Sequence, residues 1–212
     1  MSMPAKQSCL VCDTPTKKSC ASCKTAFYCS GEHQKQDWRA HKEYCLAIKA
    51  AGPNTFDALL FGENDTQPRL VKVPFSLRPE GISESASDSD SDSSSSLRGW
   101  HKLDTSIWFT HPNKAVRPVF IPRLGINGPR LKNVLCLYCD DNFLMNRLPL
   151  NRCVVAVTGG PGRAGHRWCG NVLALRMGRT YDFCASVDVE EDWEALVRYF
   201  EEYGRVALER LD

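Results

Sequence analysis

Eight cysteine and histidine side chains crowd into residues 9–45. Cys9 and Cys12 form one C-x2-C pair, and Cys20 and Cys23 form a second. Cys29 and His33 stand four apart, as do His41 and Cys45. Thiolate and imidazole are ligands that zinc favours, and four of them close a structural tetrahedron, so eight predict two zinc ions. A segment this short and polar cannot bury enough apolar surface to fold unaided, and bound metal supplies the missing free energy. In a cross-braced arrangement alternate pairs share a metal. Cys9, Cys12, Cys29 and His33 then hold the first zinc, and Cys20, Cys23, His41 and Cys45 the second. A disulfide framework is the competing use of these cysteines. It is disfavoured because no secretory signal precedes them and two histidines fall in register with them.

The elements that must position these ligands can be read locally. Ser30 to Ile48 is rich in helix formers and free of proline, which predicts a helix. Residues four apart on a helix share a face, so His41 and Cys45 point the same way. Each C-x2-C pair calls instead for a tight turn whose backbone amides face the sulfurs.

Tyr28-Cys29-Ser30, Gln34, Asp37-Trp38, His41-Lys42 and Cys45 together resemble the MYND zinc finger. Its pattern is two C-x2-C pairs followed by Y-C-S-x2-C-Q-x3-W-x2-H-K-x2-C. His33 stands where that family usually has cysteine, which makes the first site Cys3His like the second. The resemblance implies a module that binds proteins through short proline-containing peptides of the PxLxP kind. Gln34 and Trp38 occupy its peptide-contacting positions. A proline-rich segment is already extended and loses little entropy on docking beside an indole. The alternative for Trp38 is a lid packed over the zinc sites, and for Gln34 a solvated helix residue.

At 212 residues the chain accommodates a finger plus one ordinary domain. A hydrophobic content of 42% suffices for a core, and the mean hydropathy of −0.35 with no long apolar run points away from membranes. Eleven cysteines without a secretory signal predict a reducing compartment, cytoplasmic and/or nuclear. The formal net charge of +2 gives no electrostatic footprint for nucleic acid. A DNA-binding regulator is the alternative reading, and a SET-type lysine methyltransferase a weaker one. The asparagine-histidine and tyrosine features that bind S-adenosylmethionine in that enzyme family are not found here.

Along the chain, residues 1–8 read as a tail and residues 9–48 as the finger. Residues 51–212 read as an α+β domain with a mainly antiparallel or mixed sheet and a C-terminal amphipathic helix. Residues 83–96 are serine, aspartate and glutamate almost alone, which predicts a disordered acidic insert. Ser85, Ser87 and Ser89 each have an aspartate three residues on, the spacing of acidophilic kinases, and are candidate phosphorylation sites. Ala58–Phe61 is a short buried run. Arg69–Phe75 alternates with the strand period, and Pro74 predicts a strand end or an edge. Further strands are expected at Ile107–Phe109, Val119–Ile121, Asn133–Tyr138, Cys153–Val157, Val172–Leu175 and Tyr181–Cys184. From Val189 to Tyr203, apolar residues Trp193, Leu196, Val197 and Phe200 recur at helical spacing, with Asp188 placed to cap.

Ala58–Phe61, Pro68–Pro74, Asp141–Leu144, Asn151–Cys153 and Tyr199–Gly204 resemble the C-terminal region of fungal MYND-finger proteins. That resemblance carries no chemistry. Cys136-x2-Cys139 with His166-x2-Cys169 is a candidate third metal site, weakened because strand residues three apart face opposite sides. Gly159–Gly165 follows an expected strand but lacks the Gly-Lys-Ser/Thr ending of a phosphate loop, so a flexible loop is expected. Asp140 and Asp141 are expected as caps or solvated charges at a strand end.

Overall fold

Thr55–Phe61 (β1) and Val172–Met177 (β6) carry apolar runs that lack the alternation of a half-exposed strand, because both faces of each strand are covered. Leu59 and Phe61 of β1 join Val172 and Ala174 of β6 in a core on one face of the sheet. Ala58 and Leu60 join Leu173, Leu175 and Met177 in a second core on the other face. The computed structural model describes residues 7–79, 99–178 and 183–205.

Around this pair the sheet grows antiparallel throughout. The remaining strands are Arg69–Pro79 (β2), Gly99–Leu103 (β3), Val116–Arg123 (β4), Arg130–Asp140 (β5) and Cys184–Ala185 (β7). Their spatial order is β3-β2-β1-β6-β5-β4, with β7 beside β6. Leu59 faces Ala174, and Leu137 faces Ala174 from the opposite side, which fixes the register of the three central strands. Val189–Glu202 (α3) lays Trp193, Leu196, Val197 and Phe200 on the first core. The Asp188 side chain accepts from the backbone N–H groups of Glu190 and Glu191 and caps the helix as expected. Not all of its acids are solvated: Asp192 is buried and pairs with Arg176 of β6 at 2.7 Å.

Gly31–Ala51 (α1) precedes the sheet and ends at Gly52, whose φ of 57° turns the chain out of the helix. Arg152–Val157 (α2) corrects the expectation of a strand at Cys153–Val157. A five-residue apolar run does not separate the two states by periodicity. Here a buried cap decides: the Asn151 side chain accepts from Val154 N–H and donates to the carbonyls of Phe61 and Gly170. Gly159–Gly165 therefore follows a helix, not a strand.

Two other expectations change. Ile107–Phe109 is a turn, because the Asp104 carboxylate takes the Ser106 N–H and hydroxyl while Thr105 C=O accepts from Trp108 and Phe109 N–H. Pro74 does not end β2; the strand runs on to Pro79 and changes partner there. Arg69–Pro74 pairs with β1, and Phe75–Pro79 pairs with β3. Asp140 takes the capping role of the two expected: it is buried and accepts from Ala115 N–H, Asn142 N–H and the Asn146 amide. Residues 1–6, the acidic insert with Ser85, Ser87 and Ser89, and positions 181 and 182 of the expected Tyr181–Cys184 strand lie outside the described residues. The strands that flank the insert pair with each other, Pro79 opposite Gly99.

Candidate metal centre

Each C-x2-C pair sits on a tight turn. Asp13 N–H donates to Cys9 C=O at 2.9 Å, and Lys24 N–H to Cys20 C=O at 3.0 Å. Both turns close on a residue of positive φ, Asp13 at 56° and Lys24 at 64°. Leu10 N–H donates to Phe27 C=O and Tyr28 N–H to Lys18 C=O, which ties the turns together ahead of α1. Ser30 caps α1 by accepting from His33 N–H at 3.3 Å. The helix then delivers His33, His41 and Cys45.

Two groups of four form, with the pairing expected of cross-bracing. Cys9, Cys12, Cys29 and His33 make one, and Cys20, Cys23, His41 and Cys45 the other, with all ligand atoms of each group within 4.8 Å of one another. A tetrahedral zinc with Zn–S near 2.3 Å sets the sulfur–sulfur edge at about 3.8 Å and the sulfur–nitrogen edge at about 3.5 Å. Cys12 and Cys29 Sγ are 3.6 Å apart, and Cys20 and Cys45 Sγ 3.8 Å. Cys9 Sγ lies 3.4 Å from His33 Nδ1, and Cys23 Sγ 3.5 Å from His41 Nε2. These separations fit the metal and are far beyond a disulfide bond, which is about 2.05 Å. The donor set therefore holds two zinc ions, each by three thiolates and one imidazole.

The two sites differ in setting. All four ligands of the second group are buried, whereas Cys12 is exposed and Cys29 and His33 are half-buried. Burial pushes the Cys9 thiol up. The backbone N–H groups of Cys29, Val11 and Cys12, with His33, outweigh it and bring the thiol down to about 6. Burial also raises Cys23, and His41 with Thr25 and Ala26 reverses this, again to about 6. Burial raises Cys20 too, and the Cys23 backbone with His41 brings it down, whereas two other ligands move oppositely. Cys29 rises to about 11 because it shares a hydrogen bond with Cys12, and burial raises Cys45. Sulfurs packed this closely resist carrying charge together, and a dication removes that conflict.

Around the metal groups, Tyr28 OH donates to Asp37 at 2.6 Å, and Trp38 lies edge-on to His41 at 6.2 Å. Trp38 nevertheless leaves 43% of its surface exposed, and Gln34, one turn earlier, is half-buried.

One residue escaped the sequence reading. Tyr44 accepts Lys72 N–H at 2.9 Å and shares a hydrogen bond with the Thr25 hydroxyl at 2.7 Å. Its ring meets Trp108 at 5.9 Å, and it packs against both the finger core and one sheet core. Lys72 lies in the half of β2 that β3 does not reach, so the finger covers a strand edge that is otherwise open. A tyrosine beside a ligand cysteine carried no signal of this contact.

The candidate third site does not assemble. Cys136 belongs to one core and Cys139 packs against the other, while His166 and Cys169 line a shallow cleft with Cys139. Among the described residues, the two Cys3His groups are the clusters that could hold a metal.

A cross-braced pair of Cys3His sites on a helix and two turns defines a double-zinc finger. Residues 9–45 match the MYND finger family model. The chain is 54% identical over 35 residues to N-lysine methyltransferase SMYD2 of Gallus gallus, which covers 16% of this chain and 8% of that protein. It is 47% identical over 38 residues to zinc finger MYND domain-containing protein 10 homolog of Drosophila melanogaster, covering 18% and 8%. It is 30% identical over 129 residues to ubiquitin C-terminal hydrolase 15 of Oryza sativa subsp. japonica, covering 59% and 13%. The chain thus spans only about a tenth of the length of these relatives. No solved structure matches. The protein carries a MYND finger, a non-catalytic zinc-binding module for protein interaction, ahead of an antiparallel sheet and a C-terminal helix.

Proposed function

We propose that this chain is a non-enzymatic adaptor whose finger docks a short proline-containing segment of the PxLxP kind across Gln34 and Trp38. The observation that carries this reading is Trp38: it borders a completed zinc site, yet exposes 43% of its surface. Gln34 stands one helical turn away on the same side. An extended proline segment would gain apolar contact with the indole and a hydrogen bond from the amide, at small entropic cost. Four protein ligands per zinc leave no coordination position open for Lewis-acid chemistry. Six cysteines given to zinc as thiolates call for a reducing compartment, so the reading puts the chain in the cytoplasm and/or nucleus.

Calorimetric titration of the zinc-loaded chain with a Pro-x-Leu-x-Pro peptide tests the reading. Saturable binding that Trp38→Ala weakens at least tenfold, with zinc content unchanged, supports it. Equal affinity for the variant would overturn the Trp38 contact.

A further inference from the structure

We infer that the finger's proline-containing ligand is a second copy of this chain, presented by β4. This rests on the reading of the Gln34–Trp38 face given above. Pro118-Val119-Phe120-Ile121-Pro122 has proline, a large apolar residue and proline at alternate positions. In an extended chain such positions share a face. Pro118 and Pro122 are exposed, and Phe120 is 39% exposed while keeping contacts of its own. Val119 and Ile121 face the other way, into the core. β4 therefore holds the motif in recognition geometry while remaining part of the sheet, and its ordering entropy is already spent in folding. β4 also closes one end of the sheet, with β5 as its neighbour. Among the described residues no strand pairs with its outer edge.

The finger lies against β2, near the opposite end. Four strand spacings, roughly 19 Å, separate β2 from β4. One chain cannot place its own β4 on its own finger, so the contact is head-to-tail between copies. Arg117 pairs with Asp141 at 3.2 Å, and Lys35 and Lys42 stand one helical turn either side of Trp38, so apolar contact rather than charge drives this docking.

Sedimentation velocity of the full zinc-loaded chain across a concentration series tests the inference. Mass should rise with concentration. Trp38→Ala and Phe120→Ser should each reduce self-association at least tenfold, with zinc content and circular dichroism unchanged. Mixing the two variants should restore a one-to-one complex, because each keeps the half the other lacks. Pro118→Ala with Pro122→Ala gives a second route through exposed positions. A wild-type chain that stays monomeric, or variants that associate as before, would overturn the inference and leave the prolines as guards of an edge strand. A synthetic Pro-x-Leu-x-Pro peptide separates the two readings. If it binds while the chain stays monomeric, the docking face stands and the self-recognition falls; if it does not bind and the chain stays monomeric, both fall.

Discussion

Replacing Tyr44 with phenylalanine isolates what fastens the finger to the sheet. The variant keeps the ring against Trp108 and the packing of both cores, and removes one oxygen. That oxygen accepts Lys72 N–H at 2.9 Å and contacts Thr25 Oγ1 at 2.7 Å. A typical net hydrogen bond contributes about 1 kcal/mol, and a buried donor left unpaired costs about 1–3 kcal/mol. Lys72 is half-buried, so water repairs part of the loss, and Thr25 can turn its hydroxyl outward. The expected destabilisation of finger against sheet is about 1–2 kcal/mol. The assay is amide hydrogen exchange by NMR on the zinc-loaded chain. Lys72 N–H should exchange roughly 5–30 times faster, while amides at the centre of β1 and β6 change little and two zinc ions stay bound. Less than a twofold change at Lys72 would refute the claim that the hydroxyl closes the β2 edge. Loss of zinc in the variant would refute the claim that Tyr44 acts on docking rather than on the metal.

Three further substitutions probe separate features. Lys24→Gly relieves a side chain held at φ 64° and should stabilise the second knuckle by about 0.5–1 kcal/mol, seen as slower zinc release to a chelator; faster release would contradict it. Arg176→Met strips the cation from buried Asp192 and should cost about 3–5 kcal/mol of stability, read as a lower urea midpoint, whereas an unchanged midpoint would show the pair to be dispensable. Burial among Phe56, Phe75 and Phe183 lowers the His101 pKa, and its Nδ1 accepts Cys184 N–H. The unfolded chain therefore takes up this proton before the folded one, so its contribution is complete above about pH 6.5 and is lost as pH falls below that. His101→Gln should flatten that part of the stability profile relative to wild type, and parallel profiles would reject the assignment.

The finger was legible because its ligands are fixed by type and spacing: Cys29 to His33 and His41 to Cys45 tolerate few readings. The central strands were legible from Leu135–Leu137 and Val172–Leu175, whose apolar runs permit burial on two faces. Cys153–Val157 was misread because its helical state depends on Asn151 reaching Phe61 and Gly170, contacts that sequence order does not show. Ile107–Phe109 looked like a strand by composition, yet the Asp104 side chain had already committed the backbone to a turn. The continuation of β2 past Pro74 depended on a change of partner from β1 to β3, which is a tertiary fact. Tyr44 was silent for the same reason: its hydrogen-bond partner lies 28 positions away.

Intact-mass measurement of the protein under native conditions, with thiol counting on the same sample, bears most directly on the whole picture. Two zinc ions per chain with Cys9, Cys12, Cys20, Cys23, Cys29 and Cys45 all reduced is the expected outcome. Fewer than two ions, with those sulfurs joined to one another, would contradict it.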